Sequence, residues 1–92
     1  MKTELIGMKS FRLLAASGGV TEFVIQRHND AWHLFAVNHD AGIAFFLQER
    51  RGDYKSWISL DRAATWLFSI GVTHFTVGIN EEICKWKQER RD

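Results

Sequence analysis

The sequence predicts an α+β domain in which two helices pack on one face of a single sheet. Two amphipathic segments with capping residues indicate the helices, and four stretches with alternating apolar residues indicate the strands. Their order is α-β-β-β-α-β, which is typical of a sheet built around an antiparallel meander. Because 46% of the 92 residues are hydrophobic and 25% are charged, we expect one domain spanning 1–92.

The first helix is indicated by apolar residues at spacings of three and four, namely Leu5, Met8, Phe11, Leu14 and Ala15. Gly7 interrupts this stripe, so the helix is expected to begin near Lys9 or Ser10. Gly18-Gly19 should end it, because glycine readily adopts the left-handed conformation that follows a helix.

Three strands follow, with the sequences "VTEFVIQRH", "AWHLFAV" and "IAFFLQER". Turn-forming residues separate them, so we expect antiparallel neighbours. The second of these strands carries apolar residues on both faces and is therefore predicted to be central. Val24, Phe35 and Val37 point away from the helices in this arrangement, and they would favour self-association if nothing covers them.

The second helix has an apolar stripe with Trp66 at its edge, formed by Leu60, Ala63, Ala64, Leu67 and Ile70. Ser59 is its predicted N-cap, and Asp61 suits the positive end of the helix dipole. Gly71 stands at the position that follows a helix C-terminus. This pattern predicts a well-defined helix.

A last strand, "VTHFTVGI", should direct Phe75, Val77 and Ile79 to the core, with His74 and Thr76 outward. Trp57, Leu60 and Leu67 are expected to pack with Phe75 and Val77. Residues 80–92 are predicted to form a charged helical tail capped by Asn80, in which Ile83 and Trp86 supply the apolar contacts.

The charge balance, the cysteine content and the absence of long apolar runs bear on the ligand class and the cellular compartment of the protein. Twelve Lys and Arg residues against eleven Asp and Glu give a net charge of +1, so nucleic-acid binding would require a local basic patch or a dimer. The single cysteine, Cys84, excludes an internal disulfide and fits a reducing compartment. With no apolar run long enough to span a membrane, we expect a cytoplasmic protein.

Catalysis and cofactor binding find little support in the sequence. His28, His33, His39 and His74 do not occur at metal-ligand spacing, and Cys84 lies in the charged tail without a supporting signature. The glycines of "SGGV" precede a strand, the reverse of a phosphate-binding loop. We therefore expect no enzyme activity, no catalytic residues, no metal and no cofactor.

The candidate binding residues are basic and belong to two groups: Arg50, Arg51 and Lys55 near a predicted turn, and Lys85, Lys87, Arg90 and Arg91 in the tail. One interpretation is a solvated loop and a helix with internal salt bridges. The other is contact with nucleic acid or an acidic partner. A third signal, Phe45-Phe46, faintly resembles the stacking motif of RNA-recognition domains, although core packing explains it better.

The segments "LLAASG", Arg51-Gly52, "W-x-S-L-D-x-A" at 57–63 and "IGVTHFTV" at 70–77 resemble small ParC-type partition-associated proteins of plasmids and integrative elements. These are unrelated to the topoisomerase subunit of that name. The resemblance covers about two-thirds of the chain and implies a role in mobile-element maintenance beside ParA/ParB-like proteins. It implies no catalytic residues.

A second resemblance is to WGR-type domains, in which a meander with an aromatic-glycine-arginine turn precedes a helix. This chain has Arg50-Arg51-Gly52 at the turn in place of the Trp-Gly-Arg tripeptide. Two function classes therefore stay open. One is an accessory protein of mobile-element maintenance that binds protein, DNA or both, and the other is a homodimeric interaction module without nucleic-acid binding.

Overall fold

A computed structural model describes residues 1–79 and confirms an α+β fold with two helices and one mixed sheet. The elements are β1 (Lys2–Ile6), α1 (Met8–Ser17), β2 (Glu22–His28), β3 (Ala31–Asn38), β4 (Ile43–Arg50), β5 (Asp53–Tyr54), β6 (Ser56–Trp57), α2 (Leu60–Ser69) and β7 (Thr76–Gly78). The predicted tail helix at 80–92 lies outside the described residues.

The main strands are arranged in the order β1-β4-β3-β2-β7. Strands β2, β3 and β4 form the predicted antiparallel meander, and β3 occupies its predicted central place. Strands β1 and β7 run parallel to their neighbours β4 and β2. Each parallel pairing requires a crossover connection, which the helices provide.

Strand β1 was not predicted, because the sequence pattern assigns Leu5 to the stripe of the first helix. In the structure Leu5 lies opposite Phe46 of β4. The polar residues Lys2, Thr3 and Glu4 suit a strand at the edge of the sheet, but give no clear alternation of their own. Helix α1 begins at Met8, one to two residues before the predicted start near Lys9 or Ser10, and Gly7 is its N-cap.

Both helices pack on one face of the sheet, as predicted. The fully buried core on this face consists of Phe11, Ile25, Leu34, Ala36, Leu47, Ala63, Leu67 and Val72. The ring of Phe11 in α1 lies 5.8 Å from the ring of Trp66 in α2, so the two helices share one core. Trp57, Leu60 and Phe75 are half-buried against it, in agreement with the sequence.

The opposite face is also apolar and buried. Val24, Phe35, Val37, Ala44 and Phe46 are between 0% and 6% exposed, and the Phe35 and Phe46 rings stack at 4.6 Å. Their burial corrects the expectation of a bare apolar face that drives self-association. It also explains Phe46 as a core residue, as the sequence favoured.

The caps of α2 agree with the prediction. Ser59 Oγ accepts a hydrogen bond of 3.2 Å from the backbone N–H of Arg62, and Gly71 follows the helix with φ of +94°. The last strand is shorter than predicted, because β7 pairs with only three residues of β2. Ile79 lies beyond this pairing and is 62% exposed, so its predicted place in the core is wrong.

Strand β4 separates from β3 part of the way along its length. It pairs with β3 from Ile43 to Phe46, and its far end pairs with the short strand β5 across the turn at Arg51-Gly52. Strand β6 then lies beside β3, with Trp57 opposite Trp32. This exchange of partners brings the segment that follows the turn back against the sheet.

Candidate nucleic-acid interface

The basic turn, which we define as Arg50, Arg51 and Gly52, lies at the tip of the β4–β5 hairpin. Gly52 has φ of +83°, a conformation that favours glycine. Arg50 Nε lies 3.7 Å from Asp53 Oδ2, and these side chains are 78% and 66% exposed. Such an exposed ion pair contributes little to stability, so the Arg50 guanidinium is available to another anion. Arg51 is exposed as well.

Lys55 continues this basic segment towards the helices. Its backbone N–H donates to the Leu47 carbonyl oxygen at 2.9 Å, which fixes the chain between β5 and β6. Its Nζ lies 5.3 Å from the centroid of the Trp57 ring, within range of a cation–π interaction. Lys55 is therefore half-buried against an aromatic ring rather than fully solvated.

Trp57 in turn contacts Trp66 of α2, with ring centroids 5.9 Å apart and the ring planes tilted by 44°. The two indoles and their polar neighbours form an open surface groove of about 540 Å³. We call this the aromatic groove; it is lined by Lys55, Trp57, Asp61, Arg62, Thr65 and Trp66.

The sequence indicated a turn at Arg51-Gly52 and named Arg50, Arg51 and Lys55 as candidate binding residues, but it did not predict the aromatic groove. The sequence pattern assigns Arg62 and Trp66 only to the second helix, although their spacing of four places them on one helix face. Trp66 at the edge of the apolar stripe was the available signal. Its pairing with Trp57 depends on how β6 and α2 pack. Lys85, Lys87, Arg90 and Arg91 of the predicted site lie outside the described residues.

The histidines do not come together as a metal site. Within residues 1–79, no group of three or more His, Cys, Asp or Glu side chains is placed to hold a metal ion. His28 and His33 have ring centroids 6.2 Å apart, whereas His39 contacts Glu22 and His74 contacts Thr73. Cys84 lies beyond the part of the chain that the structure describes.

Glu22 has a clearly perturbed pKa. Its Oε2 accepts a hydrogen bond of 2.7 Å from Thr76 Oγ1, and its Oε1 lies 3.1 Å from His39 Nε2. The hydrogen bond from Thr76, followed by that with His39, lowers the pKa of Glu22 below its ordinary value. This cluster joins β7 to β2 and includes none of the residues that line the aromatic groove.

A second surface groove lies between α2 and the segment that leads into β7. It has a volume of about 350 Å³ and is lined by Ala64, Thr65, Phe68, Val72, Thr73 and Phe75. Phe68 is 69% exposed here, which is unusual for a large aromatic side chain. This groove, which we call the Phe68 groove, is largely apolar, and none of the described residues that line it is charged.

Comparison of the chain with protein-family models, with curated proteins and with solved structures gives no match. Among the described residues, no helix is both long and apolar enough to cross a membrane.

Proposed function

We propose that this protein is a non-enzymatic accessory protein that binds DNA through the basic turn and the aromatic groove. The observation that carries the proposal is the position of Lys55. Its ammonium lies over Trp57 at the edge of an open groove that also contains Arg62 and Trp66. Cations beside accessible aromatic rings are the elements that nucleic-acid-binding surfaces combine.

The grouping of cations supports this proposal although the whole chain is nearly neutral. The basic turn and the aromatic groove together carry Arg50, Arg51, Lys55 and Arg62, and the neighbouring carboxylates are Glu49, Asp53 and Asp61. Because the ion pair between Arg50 and Asp53 is exposed, a phosphate can replace the carboxylate at small cost. Arginine also binds phosphate oxygens in bidentate fashion.

For the cellular role, we propose maintenance of a plasmid or integrative element in the cytoplasm, beside ParA/ParB-like proteins. The resemblance to ParC-type proteins supports this role. Two of its segments, Arg51-Gly52 and the stretch from Trp57 to Ala63, supply the turn and part of the groove. The tail cations Lys85, Lys87, Arg90 and Arg91 stay candidates for the same contact.

The alternative function is a homodimeric interaction module without nucleic-acid binding. The exposed Phe68 in its apolar groove supports this alternative, because such a side chain is a common anchor of protein interfaces. Among residues 1–79, β1 and β7 form the edges of the sheet, and strand edges invite pairing with a second copy. A dimer of this kind is compatible with DNA binding and would double the number of basic turns.

A salt titration of DNA binding tests the proposal, with a gel shift as the readout. We expect a complex whose affinity falls steeply with salt, because each phosphate that a cation neutralises steepens the slope of log K against log salt by about 0.9. Replacing Arg50, Arg51 and Lys55 together with alanine should weaken binding and make this slope shallower by about 2–3.

The matched control replaces three other exposed cations, Lys2, Lys9 and Arg12, which do not line the aromatic groove. This control changes the net charge equally and should retain most of the affinity. The proposal is overturned if wild type shows no binding at low salt, or if both triple variants bind alike.

A further inference from the structure

We infer that the aromatic groove receives an unpaired nucleobase, so that the preferred ligand is single-stranded rather than double-stranded nucleic acid. This inference rests on the proposed function, since it names the form of nucleic acid that the same site binds. The inference is carried by the arrangement of Trp57, Trp66 and Lys55. Phosphate binding by the basic turn would need no aromatic ring, whereas stacking of a base needs one.

Trp57 has a ring face that is covered by a flexible side chain instead of by the core. The rest of the ring packs against the core and lies 5.9 Å from the Trp66 ring, measured between centroids, and the Trp57 backbone pairs with Trp32 across β3 and β6. The Lys55 ammonium lies over the ring, 5.3 Å from its centroid. A lysine side chain reorients at small cost, so a planar base can replace it on the indole.

The displaced ammonium then has an anionic partner close by. A base that stacks on Trp57 brings its own phosphate to the rim of the groove, where Lys55 and Arg62 are located. The Lys55 ammonium, which covers the Trp57 ring in the free protein, thus pairs with the phosphate in the complex. The basic turn lies three to five residues before Lys55 in the sequence and offers further cations to the phosphates of the same nucleic-acid strand.

A duplex fits this arrangement poorly. Trp57 and Trp66 are half-buried between β6 and α2, and they are not displayed on a protruding element that enters a DNA groove. The bases of a duplex are stacked on one another, whereas every unpaired base offers its ring face. A chain with net charge +1 also lacks the broad basic surface that duplex binding draws on.

The test compares binding of an oligothymidylate of about 16 nucleotides with binding of a random-sequence duplex of equal length. We expect the single strand to bind at least about tenfold more tightly and to quench the tryptophan fluorescence. Trp57→Leu should weaken single-strand binding about 5- to 150-fold, the range of alanine substitutions at stacking aromatics. Phe68→Leu, on the other groove, should leave it unchanged.

The outcomes separate this inference from the proposed function. Equal or tighter binding of the duplex overturns the inference but leaves the proposed DNA binding intact. A folded Trp57→Leu variant that binds the single strand with wild-type affinity has the same consequence. If neither nucleic acid binds at low salt, both fail. Should Trp57→Leu not fold, the ratio of the two affinities in the wild-type protein, together with the presence or absence of quenching, decides.

Discussion

The hydroxyl of Thr76 donates a 2.7 Å hydrogen bond to the carboxylate of Glu22, 54 positions away in the sequence. Thr76 is the first residue of β7 and Glu22 is the first residue of β2, the strand with which β7 pairs. His39, in the turn after β3, lies on the other oxygen of the same carboxylate. One side chain thus connects three separate parts of the chain.

We predict that Thr76→Val raises the pKa of Glu22 towards its ordinary value of 4.5, because it removes the largest of the interactions that lower it. A carboxylate with a lowered pKa stabilises the fold when ionised. That contribution is present above the unfolded-state pKa and is lost as pH falls through the folded-state value. The variant should therefore lose less stability on acidification than wild type does.

Titration of the Glu22 side chain by NMR measures this directly, and urea unfolding at several pH values below about 5 measures its consequence. Thr73→Val is the matched control, because Thr73 contacts His74 and not Glu22. An unchanged Glu22 titration in Thr76→Val would show that the hydrogen bond does not determine the pKa.

Leu67 tests the assignment of the helix face. It is 0% exposed and belongs to the core beneath α2, so Leu67→Ala should lower the free energy of unfolding by about 2–5 kcal/mol. Leu13 in α1 is 64% exposed, and Leu13→Ala should change stability by no more than about 0.5 kcal/mol. Urea unfolding of the two variants should give clearly different midpoints, and similar midpoints would contradict the assignment.

Gly78 tests the packing of β7 against the buried Gln26. A methyl group at position 78 would overlap the side-chain amide of Gln26, which is 1% exposed and has little room to move. We expect Gly78→Ala to cost about 1–3 kcal/mol, as for other cases of overpacking. Gly19→Ala is the control, because its methyl group would meet Ser17 Oγ at an ordinary 3.5 Å. Equal stability of the two variants would rule out the close approach.

The proposed homodimer predicts a species of about twice the 10.7 kDa chain mass in sedimentation at high micromolar concentration. If the Phe68 groove is part of the interface, Phe68→Asp should shift the protein to monomer. Leu13→Asp places the same charge on another exposed apolar residue and should not. A 10.7 kDa species for wild type would end the dimer proposal.

Local signals in the sequence determined much of the fold. Helix α2 is one example: its N-cap Ser59, its apolar stripe and the Gly71 that follows it depend only on residues a few positions away. They can therefore be predicted from a short stretch of sequence. The same holds for the meander, whose strands alternate and are joined by short turns. Because α2 and the meander are local, both appeared in the structure where the sequence placed them.

The tertiary structure decided the features that depend on distant partners. Strand β1 exists because it pairs with β4, about forty residues later, and its own residues carry only a weak strand pattern. Ile79 is exposed because pairing with β2 stops at Gly78, which alternation alone does not reveal.

The candidate site shows the same division. Its cations are visible in the sequence as the run from Arg50 to Lys55. Trp57 and Trp66 lie nine residues apart, on a strand and a helix, and they meet because β6 takes a place beside β3 that β4 has left. Burial of both rings against the shared core fixes their distance, so packing rather than sequence spacing creates the groove between them.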